Sequence, residues 1–153
     1  MDPRPATIVA VRPVAEDDYL QWLPLWTGYN TFYKRTLPDE VTKVTWSRFF
    51  DPAERMHALV ADENGTLLGL THYLFHRATA FTAHTCYLSD LFTNQAARGK
   101  GVGRALIEAV YEKARLAGSP RVYWQTHETN AVAQVLYNDV AERSGFIVYR
   151  KQV

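Results

Sequence analysis

The chain has 153 residues, 47% of them hydrophobic, and its 17 basic and 16 acidic side chains leave a formal net charge of +1. That length and apolar content suit one domain, residues 1–153, built around a single core. The charges are well mixed, so no basic stripe points to nucleic acid, and no apolar run approaches the length needed to cross a bilayer.

The opening MDPRPAT lacks the apolar stretch of a secretory signal, and Cys86 is the only cysteine, so no disulfide framework is expected and a cytoplasmic setting is the default. The first predicted element is a strand over Thr7–Arg12, followed by helices over Glu16–Tyr33 and Asp39–Phe50. Tyr19, Trp22, Trp26, Tyr29 and Tyr33 recur at three- and four-residue spacing, which reads as a core-facing stripe. Phe32, Trp46, Phe49 and Phe50 extend this aromatic series, and one or two of its rings could line a cleft and attract an ammonium.

Strands over Met56–Asp62 and Thr66–Ala78 are joined through Asn64-Gly65, the hairpin tip in which both central residues need positive φ. His72 and His76 share one face of the second strand but lie too far apart along it to hold one ion. They read as polar residues on a half-exposed sheet, and no metal site is expected. A third strand covers Ala83–Thr93, within which Cys86 reads as a buried structural thiol. A helix over Val102–Ala117 is stopped by Gly118 and Pro120. A strand over Arg121–Thr126, a helix over Thr129–Arg143 and a strand over Phe146–Lys151 complete the chain. Antiparallel strands followed by βαβ elements make a mixed α/β sheet.

The most informative stretch is Arg98-Gly99-Lys100-Gly101-Val102-Gly103, between a strand and a helix. Glycines let a ligand approach the backbone, and a helix start presents unpaired N–H groups and the positive end of its dipole, so the combination suits a pyrophosphate. A dinucleotide fingerprint would need a sixth-position glycine, where Arg104 or Leu106 stands, and a P-loop would need Ser or Thr after Lys100, where Gly101 stands. What fits is R-x-x-G-x-G, from Arg98 through Gly101 to Gly103.

This loop resembles the acyl-CoA-binding loop of the GNAT superfamily of N-acetyltransferases. The segments RVYWQT, HETNAVAQVLYNDVAERSGF and SGFIVYRK extend the likeness over Cys86–Lys151, and YLSDLF, RGKGVGRALIE and VYWQT-x-x-TN look most like its histone/polyamine-type branch. The resemblance implies a GNAT fold, with a mostly antiparallel central sheet, a βαβ acyl-CoA-binding core and flanking helices. It implies acetyl-CoA as cosubstrate, held by Arg98, Gly99, Lys100, Gly101, Val102, Gly103, Arg104 and Asn130. A strand bulge near Leu91, Phe92 and Thr93 would meet the thioester carbonyl, and Tyr137 would protonate the departing sulfur. Asp90 is the matching base, and Glu128 a second candidate.

The expected activity is acetyl transfer to a primary amine, with a small diffusible acceptor preferred over a protein lysine; a non-catalytic CoA-binding module is the competing class. The single C-terminal strand would leave a sheet edge open, which predicts a two-fold homodimer. The alternative is a monomer whose edge is blunted by Arg150 and Lys151.

Overall fold

A computed structural model describes residues 9–153. Thr7 and Ile8 of the first expected strand lie outside the described residues. The strands are β1 (Val9–Pro13), β2 (Met56–Glu63), β3 (Thr66–Arg77), β4 (His84–Thr93) and β5 (Val122–Tyr123), and the helices are α1 (Tyr19–Phe32), α2 (Asp39–Arg48), α3 (Val102–Leu116) and α4 (Ala131–Val140). A 3₁₀ turn over Glu16–Asp18 occupies the start of the first expected helix. The sheet runs β1-β2-β3-β4-β5, antiparallel except for β4 and β5, which are parallel and joined by the α3 crossover. This is the expected mixed α/β architecture.

Both sheet faces are covered. Leu59, Ala61, Leu68, Cys86 and Leu88 pack on one face against Val102, Leu106, Ile107 and Val110 of α3. Val60, Leu67 and Leu70 pack on the other against Trp22, Leu25, Trp26 and Tyr29 of α1. Apolar residues recur three and four apart along α3, so burying that stripe is what holds the helix on the sheet. The aromatic stripe of α1 does the same opposite, with ring centroids 5.8 Å apart for Trp22–Trp26 and 5.6 Å for Trp26–Tyr29. At Gly28 a Cβ would come within 2.8 Å of the Phe92 ring, so only glycine lets α1 lie this close to β4.

The register of β3 and β4 shifts once: His72 pairs with Asp90 but Tyr73 pairs with Leu88, so Ser89 is an extra residue. Side chains alternate along a strand, and Cys86 and Leu88 both face α3. Without the bulge, Asp90 and Phe92 would follow them. With it, Phe92 joins the α1 layer and Asp90 meets His72 on that side. The bulge therefore lies at Ser89 and not at Leu91–Thr93, where pairing with β3 is regular.

Three other expectations are corrected. The strand expected over Arg121–Thr126 pairs only at Val122 and Tyr123, because the next position in β4 leads into the bulge. The helix expected over Thr129–Arg143 is shorter, starting after Asn130, whose side chain accepts from the Ala133 N–H, and ending at Val140, whose carbonyl accepts from the Tyr111 hydroxyl at 2.9 Å. The strand expected over Phe146–Lys151 is not formed. Phe146 is 91% exposed and Tyr149 90%, and the segment pairs with no strand of the described chain. A strand exists only by pairing, so its β-rich composition alone does not make one.

Near the chain start, Arg12 donates to both Asp18 oxygens, at 2.7 and 2.9 Å, and to Asp62 at 3.1 Å. Asp18 is buried, and the Arg12 hydrogen bond holds its carboxyl below the ordinary range against the opposing effect of burial. This clamp ties β1 to β2 and to the entry of α1.

Candidate functional site

The glycine loop follows β4 directly. Asn94 opens a short 3₁₀ turn, and its side chain accepts from the Ala96 N–H at 3.2 Å. The amides of Arg98 and Lys100 are used inside this turn, donating to Gln95 and Ala97 carbonyls at 3.2 and 3.4 Å. Gly101 is the N-cap of α3 with φ of 76°, a left-handed conformation that disfavours any side chain. A glycine cap offers no side-chain acceptor, so the first-turn amides of Val102, Gly103 and Arg104 lack the usual partner, and the first turn carries no acidic residue. Nothing lies within 4 Å of the Cβ positions of Gly99 and Gly101, so a ligand can approach both. Uncommitted amides, a helix dipole and open space fit a pyrophosphate. Gly103 has another constraint: its Cβ would lie 3.3 Å from Leu136 of α4. A groove of about 700 Å³ leads away from the loop, lined by Leu23, Thr27, Gly28, Phe92 and Arg98.

Among the described residues β4 has no strand partner on its β5 side beyond Tyr87, so the peptide groups that face that edge are open to a ligand. Leu91, Phe92 and Thr93 belong to this stretch. Asp90, carried to the α1 face by the bulge, is the centre of a polar group in an aromatic layer. His72 Nδ1 and Asp90 Oδ2 are 2.9 Å apart, and the Trp22 indole N–H donates to His72 Nε2 at 3.1 Å. His72 is 2% exposed, which corrects its reading as a polar residue on a half-exposed sheet; His76 is half-buried and contacts the Tyr123 hydroxyl. Burial alone would raise the Asp90 carboxyl, but the hydrogen bond from His72, whatever charge that ring carries, the Tyr29 hydroxyl and the Arg35 charge act to hold it below the ordinary carboxylate value. Burial and then Asp90 raise the Tyr29 and Tyr33 hydroxyls, so both remain protonated near neutrality.

Tyr137 lies on α4, edge-on to Trp124 at 5.4 Å. Burial, helped by Tyr33, pushes its hydroxyl up to about 12, so it keeps its proton at neutral pH. Tyr137 packs with Trp124 and Leu136 against the α3 side of the sheet. Asn130 caps α4 and donates to Thr126 at 3.4 Å, a structural task that accounts for its residue type. Glu128 is exposed, and only its carbonyl is engaged, by Gln134. Cys86 is fully buried with its thiol raised to about 12, so it is no nucleophile. Among the described residues no group of three or more His, Cys, Asp or Glu could hold a metal, and no helix is long and apolar enough to cross a membrane.

Sequence reasoning missed His72, Trp22, Tyr29 and Arg35 as neighbours of Asp90. Their chain separation left no local signal beyond the aromatic stripe itself.

Comparison with known proteins gives the same picture. The chain is 37% identical over 145 residues to the D-amino-acid N-acetyltransferase HPA3 of Saccharomyces cerevisiae, covering 94% of this chain and 90% of that protein. It is 29% identical over 142 residues to the uncharacterized N-acetyltransferase YhfO of Bacillus subtilis, covering 91% and 94%. The solved structure of AAC(6')-Iy with a bisubstrate analogue, CoA-S-monomethyl-acetylneamine, superposes with a TM-score of 0.82 over 95% of this chain and 99% of that one, at 17% identity. Residues 19–141 match the family model described as the acetyltransferase (GNAT) family, and with the helix start and sheet found here, the chain belongs to that family.

Proposed function

We propose that this protein is an acetyl-CoA-dependent N-acetyltransferase that acetylates the primary amine of a small molecule by direct attack on the thioester. The observation that carries this reading is a helix start with uncommitted amides at one end of β4 and a half-buried carboxylate, Asp90, on the same strand, with an unpaired strand edge between them. Bound acetyl-CoA supplies an activated acyl group with a thiolate leaving group. The amides of Val102, Gly103 and Arg104 would hold its pyrophosphate, with Gly99 and Gly101 giving access and the Arg98 and Lys100 side chains adding charge. Peptide N–H groups of Leu91 and Thr93, which alternate along the strand with the β3-facing N–H of Phe92, would polarise the carbonyl. Asn130 would support this cradle through its cap of α4.

Asp90 is the residue for the acceptor nitrogen, with a role set by magnitude. An alkylammonium and an ordinary carboxyl differ by about 6.5 pKa units, about 9 kcal/mol, and lowering Asp90 widens that gap. Asp90 therefore first binds and orients the ammonium; the nitrogen attacks as the neutral amine after one proton has left to solvent, and Asp90 takes the second proton as the C–N bond forms and the nitrogen loses its basicity. As the C–S bond breaks, Tyr137 gives its proton to the sulfur. Glu128, exposed on its loop, is not needed for either step.

The finer acceptor assignment favours a free amino acid. The Saccharomyces cerevisiae relative is named for D-amino acids, which weighs for that class over the histone or polyamine acceptors of the branch the sequence resembles. Arg35 follows α1 near Tyr29, its guanidinium 5.6 Å from that ring centroid, where it can attract a substrate carboxylate. Protein lysine is the second choice, and a passive CoA-binding module the third. A cytoplasmic setting is in keeping with the unpaired, buried Cys86.

The test is amine-dependent release of free thiol from acetyl-CoA, using D- and L-amino acids, a polyamine, an aminoglycoside and a lysine peptide. Amino acids are expected to give the highest kcat/KM. Preference for the peptide would make this a protein acetyltransferase, and tight acetyl-CoA binding without turnover on any amine would leave only the binding module. Tyr137→Phe is expected to lower kcat by about 100-fold or more while acetyl-CoA affinity stays within about two-fold. Unchanged kcat with chemistry rate-limiting would remove the acid role from Tyr137.

We also propose a homodimer formed through the C-terminal segment. Phe146, Ile147, Val148 and Tyr149 are 91, 74, 68 and 90% exposed, an apolar run that a second copy can cover by strand pairing. Light scattering over a wide concentration range is expected to give a dimer mass that is lost on deleting residues 149–153. A monomer mass throughout would rule the dimer out, and a dimer surviving the deletion would place the interface elsewhere.

A further inference from the structure

The contact between Trp22 and His72 has no part in the family resemblance, yet its chemistry constrains the active anion. An indole nitrogen can only donate a hydrogen bond. Trp22 Nε1 lies 3.1 Å from His72 Nε2, so that imidazole nitrogen must present a lone pair. The imidazole proton is then on Nδ1, where it is donated to Asp90 Oδ2 at 2.9 Å. His72 and Asp90 thus form a hydrogen bond between a neutral ring and a carboxylate rather than an ion pair.

Other surroundings of His72 would favour its cation. Asp90 is adjacent, and the rings of Phe49, Trp26 and Trp22 lie 4.7, 5.2 and 6.0 Å from the imidazole. The group opposing the cation is the indole N–H, which would face a second N–H if Nε2 gained a proton. Trp22 cannot turn away without disturbing its packing: it is fully buried, with Trp46 at 4.8 Å, Trp26 at 5.8 Å and Phe49 at 5.9 Å. The groups facing this pair from the packed elements are Asp90 on β4, Tyr29 and Tyr33 at the end of α1, and Arg35 beyond it; β2 contributes Ala58 opposite His72, and α2 contributes neutral rings. Arg35 spends its Nε on Asn30 at 2.6 Å and makes no ion pair with Asp90.

We propose that Trp22 is a positioning residue that locks His72 in the neutral Nδ1–H tautomer, so that Asp90 keeps its negative charge uncompensated for the ammonium of the acceptor. The lock has a functional consequence because an imidazolium at 2.9 Å would compete directly with the substrate for the same carboxylate. This inference rests on the reading of Asp90 as the ammonium site.

Trp22→Phe tests it by keeping a buried ring and removing the N–H. In the wild-type protein, nitrogen-15 NMR is expected to show His72 protonated on Nδ1 and bare on Nε2. In Trp22→Phe that single tautomer is expected to be lost, with protons found on Nε2 as well, and the amine KM to rise about ten-fold over wild type in the same buffer. Acetyl-CoA affinity should not follow this change. In Trp22→Phe/His72→Gln, which has no imidazole, the rise in amine KM should vanish.

A doubly protonated His72 in the wild type would overturn the lock, as would a folded Trp22→Phe with unchanged tautomer and unchanged amine KM. Should Trp22→Phe not fold, the wild-type spectrum alone decides the tautomer. If Asp90→Asn leaves the amine KM unchanged, the ammonium site fails while the tautomer result still stands.

Discussion

A single extra residue in β4, Ser89, decides which side of the sheet receives the Asp90 carboxylate. Cys86 and Leu88 point toward α3, and strict alternation would send Asp90 and Phe92 after them into an apolar layer with no partner for a carboxylate. The bulge turns both toward α1. There Asp90 meets His72, and Phe92 fills the space left by Gly28. The same irregularity ends the short pairing of β4 with β5 after Tyr87 and leaves an open strand edge beside Asp90. Anion placement and ligand access therefore have one structural cause.

The two faces divide the work. α3 is anchored by Val102, Leu106 and Val110, and that packing fixes the direction of its uncapped N-terminus. α1 forms a wall of stacked rings beside which a half-buried carboxylate persists because specific donors satisfy it. Desolvation opposes the Asp90 charge, and His72, Tyr29 and Arg35 outweigh it. Such a site is costly if left incomplete and attractive to a cation, which is the chemistry that an amine acceptor brings.

The glycine loop, α3 and the aromatic stripe were legible because each depends on spacing within a few residues. Asp90 was legible as a candidate, but not its surroundings. His72 lies 18 positions from it and Trp22 another 50 positions from His72, and only sheet register and the bulge bring them together. The bulge itself left no mark in YLSDLF, which reads as a regular strand, and so its position was misplaced toward Leu91–Thr93. Asn130 was read for its ligand role, whereas its hydrogen bonds show an ordinary helix cap. The C-terminal FIVY run has the composition of a strand but no partner in the described chain, and a strand's existence depends on that partner. The Arg12–Asp18–Asp62 clamp, which joins segments distant in sequence, was likewise invisible.

The central claim is that the anion turned toward α1 binds the acceptor rather than the cosubstrate. The most direct measurement is kcat/KM for the best amine in Asp90→Asn, with acetyl-CoA affinity measured by calorimetry on the same preparation. The account predicts a fall of about 100-fold or more in kcat/KM, carried largely by the amine KM, with acetyl-CoA affinity held within about two-fold. Wild-type kcat/KM in a folded Asp90→Asn protein would contradict it.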